Sequence, residues 1–476
     1  MIEIRRMLHN FFSVTVMRLL TSIISFAFFS VLARQWGAES LGEFSTVFSI
    51  FMFLWQIPLL GLHIVIARTT ATNPETLKEQ ATNALILSIT VSILLLIVIG
   101  YLGQALYPES MHTAIWLVGV STIFMAITSV AEAVLIGQER MHIIAWANIA
   151  ENIFRVCLGV VLVLAGYGLT EVVAVFVFSR IFSVIIYIKK GNLYELFDHL
   201  SISKISLKKY LVQCPTFFGI LLLSCVIGRF DFIILSLIGS MHDVGMYSPS
   251  FKIYEISLMI PSMITVVLFP VFSRFYQSDQ SQYDRLYVNA FKFTFALGAP
   301  FVIILAYLSI DFIELIFGSE YVAGGAALQL LAFAVMFVAL DQILTAVTLS
   351  AKREDIELKI LIITSSIYII LLFTLIPILG FMGAAIATLG ASFIKLVVRY
   401  IWLINVFNIP GVLHQLLRPV FAVVILCAFL VFASNYNSYL VSGMGLLIYF
   451  LILFFVKGVY SSDLNTFKNS ILNKGV

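Results

Sequence analysis

The residues of this chain that could do chemistry are charges set inside apolar sequence. Arg229, Asp231, Lys252 and Glu255 lie in one stretch, RFDFIILSLIGSMHDVGMYSPSFKIYEISLMIPSMITVVLFPVFSR, which runs from 229 to 274. A charge near the middle of a membrane-spanning helix costs ~3 kcal/mol on insertion scales. Arg18, Arg155, Arg180, Lys292, Lys395 and Arg399 also fall in apolar stretches, together with Glu132, Glu151 and Asp341. Some of these have a local answer. Lys252 and Glu255 are at i,i+3 and Glu151 and Arg155 at i,i+4, so each pair shares a helical face. Lys292 begins its helix and can snorkel to head groups. Arg180 and Arg399, roughly two turns from a helix end, could do the same. Arg229 and Asp231 are two apart and face different ways. Arg18, Arg229 and Lys395 have no opposite charge three or four residues away. Leaving several such groups in lipid would cost on the order of 10 kcal/mol, comparable with a domain's whole stability. They must reach water or acids on other helices, of which Glu132, Asp231 and Asp341 are available. The basic residues outnumber these acids. Such an interior suits an anion, and arginine grips phosphate with paired donors. The binding candidates are therefore Arg18, Arg229, Lys252, Arg180, Lys395 and Arg399. The carboxylates Asp231, Glu255 and Asp341 are candidates for coupling to a sodium or proton gradient.

Other chemistry has no signature here. There is no GxxxxGK[ST] phosphate loop and no HExxH. The four cysteines (Cys157, Cys214, Cys225, Cys427) lack metal-ligand spacing and read as small core residues. His63, His112, His142, His242 and His414 sit mostly near helix ends. No catalytic group, metal site or cofactor is expected, and nothing points to nucleic acid.

The elements that position these charges are membrane helices. The chain is 61% hydrophobic and 11% charged, against about 25% charged in soluble domains. Fourteen apolar spans are read, near 11–34, 41–66, 81–107, 112–136, 142–166, 170–188, 210–239, 245–272, 289–316, 323–350, 356–378, 382–406, 417–434 and 438–457. Each approximates the ~20 residues a crossing needs. The expected class is an all-α polytopic membrane protein. Arg5 and Arg6 precede the first span without a cleavage site, so that span reads as a retained anchor.

Loop charge sets the orientation. Alternate connections hold Arg68 and Lys78, Arg140, Lys189, Lys190, Lys204, Lys208 and Lys209, Arg274 and Arg285, Lys352 and Arg353, Arg418, and the tail lysines. The others, YPESMH, GYGLTE, GSMHDVG, GSEYVAG, PILGFMG and NYNS, hold no Lys or Arg; Arg34 is the basic residue on that side. The positive-inside rule puts both termini in the cytoplasm.

The chain repeats itself. Gly137 and Gly166 match Ala351 and Gly380 at one offset, and Gly37, Gly42, Phe44 and Phe48 match Gly239, Gly245, Tyr247 and Phe251 with one inserted residue. Helices 1–6 then resemble helices 7–12. Six is even, so this is a parallel repeat about an axis along the membrane normal. The expected divisions are a six-helix bundle at 1–188, a linker at 189–209, a second bundle at 210–406, and two extra helices with a tail at 407–476. The linker alternates apolar and basic residues; it lies on the cytoplasmic surface or is simply solvated. The functional expectation is a cationic, water-filled cavity between the halves. Prolines at 58, 215, 249, 261, 270 and 300 permit kinks.

LARQWGAESLGEFSTVFSI, the 231–274 stretch and LIFGSEYVAGGAALQLLA resemble the bacterial polysaccharide flippases (O-antigen and other lipid-linked oligosaccharides) of the multidrug/oligosaccharidyl-lipid/polysaccharide exporter superfamily. The resemblance covers roughly residues 1–410. It implies two bundles in a V around a central cavity, alternating access, and transfer of an undecaprenyl-pyrophosphate-linked glycan to the outer leaflet of a bacterial inner membrane, as in lipopolysaccharide assembly. Arg18, Arg229 and Lys252 would meet the pyrophosphate. A polysaccharide polymerase and ligase, and membrane lipids, are the implied partners. Helices 13 and 14 are similar to the fourteen-helix lipid II flippase branch, where the extra pair holds the lipid tail, but the basic signature of that branch is not clear in this sequence. The alternatives are a lipid II-type flippase, a cation-coupled drug exporter, which would want an acidic cavity, and a membrane scaffold or glycosyltransferase; a transferase would want a sizeable polar loop.

Overall fold

The computed structural model describes residues 2–62, 65–66, 77–191, 204–276, 278–407 and 411–456, with the side chains of 2–19, 59, 191, 204–213 and 406–407 excepted. The Arg18 side chain, most of the 189–209 linker and the tail from 457 therefore lie outside the described residues. The elements are α1 (Ile2–Leu59), α2 (Leu77–Leu106), α3 (Glu109–Gly137), α4 (Met141–Leu164), α5 (Leu169–Gly191), α6 (Lys204–Ile238), α7 (Met241–Ser257), α8 (Met259–Phe275), α9 (Gln280–Tyr307), α10 (Ser309–Phe317), α11 (Gly325–Ser350), α12 (Glu354–Leu379), α13 (Phe381–Phe407), α14 (Leu413–Phe432) and α15 (Ser438–Phe455). A short 3-10 segment, Ser319–Gly324, precedes α11. Among the described residues there are thirteen candidate membrane spans. The protein is all-α and crosses the membrane many times.

The first span holds two of the expected helices. Gly37, inside α1, has φ 74° and ψ 174°, which a glycine adopts without steric cost. The Phe28 and Phe44 rings are 6.4 Å apart, although a straight helix would separate them by roughly 24 Å. The chain turns back at Gly37, so among the described residues the thirteen candidate spans hold fourteen apolar crossings' worth of helix.

Two helices are divided where a single one is expected. The helix read at 245–272 is broken at Leu258 into α7 and α8. Pro261, one turn on, has no N–H to give the Ser257 carbonyl, so the ladder opens there. The helix read at 289–316 begins at Gln280 and ends at Tyr307. Its last residues form the separate helix α10, which buries Ile313 and Phe317 at i,i+4. Asp311 of α10 accepts a 2.5 Å bond from Ser438 at the start of α15.

The chain divides into two compact units, Met1–Ser248 and Pro249–Val476. In the first, α2 packs on α3, α5 on α3 and α4, and α6 on α1. In the second, α11 packs against α9, α8 and α13, and α13 against α12. The paired helices α14 and α15 lean on α9, where Ala296, Ala422, Leu426 and Tyr449 share one apolar cluster.

The turn in α1 and the turn entering α7 meet within the first unit. A Cβ on Gly42 would collide with the Met241 carbonyl, and a Cβ on Gly245 with the Ala38 carbonyl. Each glycine faces the residue four before the other, the reciprocal contact of a two-fold interface. These glycines are the pair matched by the sequence repeat, so a parallel repeat accounts for the contact.

Candidate functional site

The spanning helices carry polar stripes at helical spacing. On α5, Arg180, Ser183 and Tyr187 follow one another at i, i+3 and i+7 and point inward; all three are buried. Glu151 of α4 receives the first two. Its Oε2 accepts from Ser183 at 2.5 Å and from Arg180 at 3.1 Å, and its Oε1 lies 3.8 Å from Arg155. Tyr187 donates to Glu132 of α3 at 2.7 Å. Aromatic faces complete the shell: Arg155 stands 4.8 Å over Phe176 and Arg180 5.1 Å over Trp55. Two acids and two bases from three helices thus form one cluster, with Glu151 and Arg180 buried and Glu132 and Arg155 partly so.

Asp231 of α6, fully buried, sits in the same unit. Its carboxylate accepts from the Tyr247 hydroxyl at 2.8 Å and from the Phe232 N–H at 2.9 Å. Arg229, two residues earlier, points elsewhere. Its guanidinium lies 5.6 Å over the Phe48 ring, a cation–π arrangement that holds the charge over an electron-rich face.

The second unit holds its own network. On α13, Thr388, Ser392, Lys395 and Arg399 stand at i, i+4, i+7 and i+11. On α12, Glu357, Thr364 and Tyr368 do so at i, i+7 and i+11. The stripes face each other, and Tyr368 bonds Thr388 at 3.2 Å. Arg399, 0% exposed, donates from Nε to Asp341 of α11 at 2.6 Å and from its two terminal nitrogens to Glu357, one at 3.0 Å. Lys395 reaches Asp341 at 3.2 Å. Again two acids and two bases are matched. In the same unit Lys252 donates to Glu255 at 2.7 Å on one face of α7.

The structure therefore places the sequence candidates unevenly. Arg180 and Arg399 do not snorkel; they turn inward to carboxylates, because a guanidinium with a buried acid in reach has less to gain from a head group. Lys395 finds Asp341, one of the acids available to it. Asp341 and Glu255 are each ion-paired, whereas Asp231 is held by a phenol and a backbone N–H. Lys292 is buried. Glu357 was not singled out from the sequence, since it falls at the expected start of its helix. The signal existed: Glu357, Ile360, Leu361 and Thr364 recur at i, i+3, i+4 and i+7 and are all buried. Ser183 and Tyr187 were missed in the same way. An apolar groove of about 610 Å³ also lies in this unit, walled by Pro261, Ile264, Leu297, Phe301 and Met336.

Residues 31–324 match the family described as Polysaccharide biosynthesis protein. The chain is 22% identical over 406 residues to the capsular polysaccharide biosynthesis protein CapF of Staphylococcus aureus, covering 84% of this chain and 100% of that one. It is 27% identical over 206 residues to the uncharacterized membrane protein MJ1068 of Methanocaldococcus jannaschii, a match spanning 43% of this chain and 39% of that protein's length. The fold is similar to that of the lipid II flippase MurJ in its inward closed conformation, with TM-score 0.76 and 14% identity over 94% of this chain and 99% of that one. It is also similar to an inward-facing multidrug resistance MATE family transporter of the MOP superfamily, with TM-score 0.63 and 15% identity over 80% of this chain and 93% of the other.

Proposed function

Because the chain belongs to the polysaccharide biosynthesis protein family, we propose that it is a flippase for a lipid-linked oligosaccharide, with an undecaprenyl pyrophosphate carrier, in a bacterial inner membrane. The observation that carries this reading is the extent of the shared fold. Likeness to the lipid II flippase reaches 94% of the chain, and likeness to the multidrug transporter 80%. A lipid-carried cargo is the better fit to a chain of this family. The anionic head group crosses between helices while the polyprenyl tail stays in hydrocarbon, because a pyrophosphate in lipid carries the full penalty of a buried charge. Arg229 and Arg18 of the first unit bind the head group, with Lys252 of the second a further candidate, and access alternates between the leaflets. The protein is a transporter and not an enzyme; a polymerase and a ligase act on the glycan it delivers.

Asp231 is the preferred carboxylate for ion coupling. Glu255 and Asp341 already face lysine or arginine within 3.2 Å, and a carboxylate so matched gives up little on meeting another cation. The test of the function is charge reversal. With Arg229→Glu present in the membrane at the normal level, the lipid-linked glycan accumulates on the cytoplasmic face and its export stops. Export at the wild-type level would overturn the proposal.

A further inference from the structure

The two buried charge clusters look alike in composition and differ in one contact. In the second unit each acid has a cation in direct reach: Asp341 has Lys395 and Arg399, and Glu357 has Arg399. In the first unit Glu151 has Arg180 and Arg155, but the contact of Glu132 is a phenol, Tyr187 at 2.7 Å. A phenol hydroxyl can donate to a carboxylate and, more weakly, to the carbonyl oxygen of a carboxylic acid. The pair can therefore keep its hydrogen bond in both protonation states of Glu132, whereas an arginine in direct contact would favour the ionised form alone.

Arg155, Arg180 and Glu151 alone carry one surplus positive charge. With Glu132 ionised the cluster is neutral; with Glu132 protonated it is +1. The groups that face Glu132 are Tyr187 and Arg180 from α5 and Glu151 from α4, the latter also holding Arg155. Helix α2 brings Lys78 and Glu79 in its first turn, and α1 has no titratable side chain from Phe44 to Pro58. The Cys214 thiol of α6 lies in the apolar cluster around Tyr187.

We propose that Glu132 and Tyr187 form a proton-binding site, and that its occupancy sets the net charge of the Glu132–Glu151–Arg155–Arg180 cluster between neutral and +1. The proton is taken up by a Glu132 carboxylate oxygen, and the Tyr187 hydroxyl stays bonded in both states. The consequence for transport rests on the flippase reading: a cluster made positive by a proton favours a nearby pyrophosphate, and loss of the proton releases it. Proton and anion then bind with positive linkage.

The site is tested without any transport assay, by infrared difference spectroscopy of the full chain in lipid nanodiscs across a pH titration. The expected result is a carboxylic acid C=O band that appears as pH falls and is absent in Glu132→Gln. In Tyr187→Phe, which keeps the carboxylate if the first variant does not fold, the band persists and moves to higher frequency as its hydrogen bond is lost. An unchanged band in both variants, or no Glu132-dependent band at any pH, would overturn the proposal. The linkage is read with inorganic pyrophosphate as the probe: wild-type affinity rises on acidification, and Glu132→Gln, fixed in the neutral form, is independent of pH in that range. A Glu132-dependent band in a protein that exports no glycan leaves the proton site standing and sinks the flippase reading instead.

Discussion

Removing Arg399 separates a structural staple from a substrate contact. Its guanidinium is fully buried and bridges Asp341 and Glu357. In Arg399→Met the unbranched apolar stem is approximated and the charge lost. Asp341 retains Lys395 at 3.2 Å, but Glu357 is left as a buried carboxylate without its cation. Breaking a buried pair in this way costs ~3–5 kcal/mol, mostly from the charge left behind. Glu357→Leu alone should cost a similar amount, because Arg399 and Lys395 then share one acid. The double variant Arg399→Met/Glu357→Leu is neutral again, and apolar replacement of both partners is often without net effect on stability. The expected interaction energy between the two sites is therefore about 3 kcal/mol or more, on the order of a 100-fold difference in the unfolding equilibrium. The assay is reversible unfolding in mixed detergent–lipid micelles for the wild type, both single variants and the double. Single variants as stable as the wild type, or a double variant as unstable as the sum of the singles, would refute the assignment of the energy to uncompensated charge. Glycan export decides the rest: a stable double variant that exports normally makes Arg399 a staple, and a stable one that does not makes it a head-group ligand.

Three further outcomes are expected. Asp231→Asn, which keeps an acceptor for Tyr247, should leave the protein folded and make export independent of the ion gradient; export that still tracks the gradient removes Asp231 from coupling. Gly42→Ala and Gly245→Ala each put a Cβ into a backbone carbonyl and should destabilise by ~1–3 kcal/mol as overpacking does, with the two costs less than additive because one seam is opened; unchanged melting would mean that the turns do not touch. Asp279 caps α9 by accepting from the Gln282 N–H at 3.0 Å, and that bond above all holds its carboxyl below the ordinary value. Its contribution is full above the unfolded carboxyl's pKa and fades as pH falls through the lower folded one. Asp279→Ala should therefore flatten the acid limb of a pH–stability profile, and an identical limb would exclude the cap.

The fold was largely written in composition and period. Spans, turns and the fold-back at Gly37 follow from apolar length and glycine placement, which act locally. The Lys252–Glu255 pair was legible for the same reason: three residues on one helix fix a distance. The clusters were not, because Arg180 meets Glu151 across 29 residues of chain and Arg399 meets Glu357 across 42. In helices apolar on every side, hydropathy says little about which face turns inward. The polar stripes do: Arg180, Ser183 and Tyr187, or Thr388, Ser392, Lys395 and Arg399, mark an inner face by spacing alone, but a stripe names no partner.

This changes what the count of intramembrane bases means. Counted along the chain, they suggest one large positive cavity. Placed in space, Arg155, Arg180, Lys395 and Arg399 each stand against a carboxylate of their own unit, within 3.8 Å. Charges so matched tie three helices into a rigid block and present little net field. On the flippase proposal, anion recognition is then assigned to residues outside the clusters, with Arg229 on α6 over Phe48 the first candidate, and to any acid within a cluster that can take up a proton. A flippase for a pyrophosphate-linked lipid, as proposed, must bind its anion and let it go. A fixed excess of positive charge serves only the first of these, whereas a cluster that is neutral in one protonation state and positive in the other serves both.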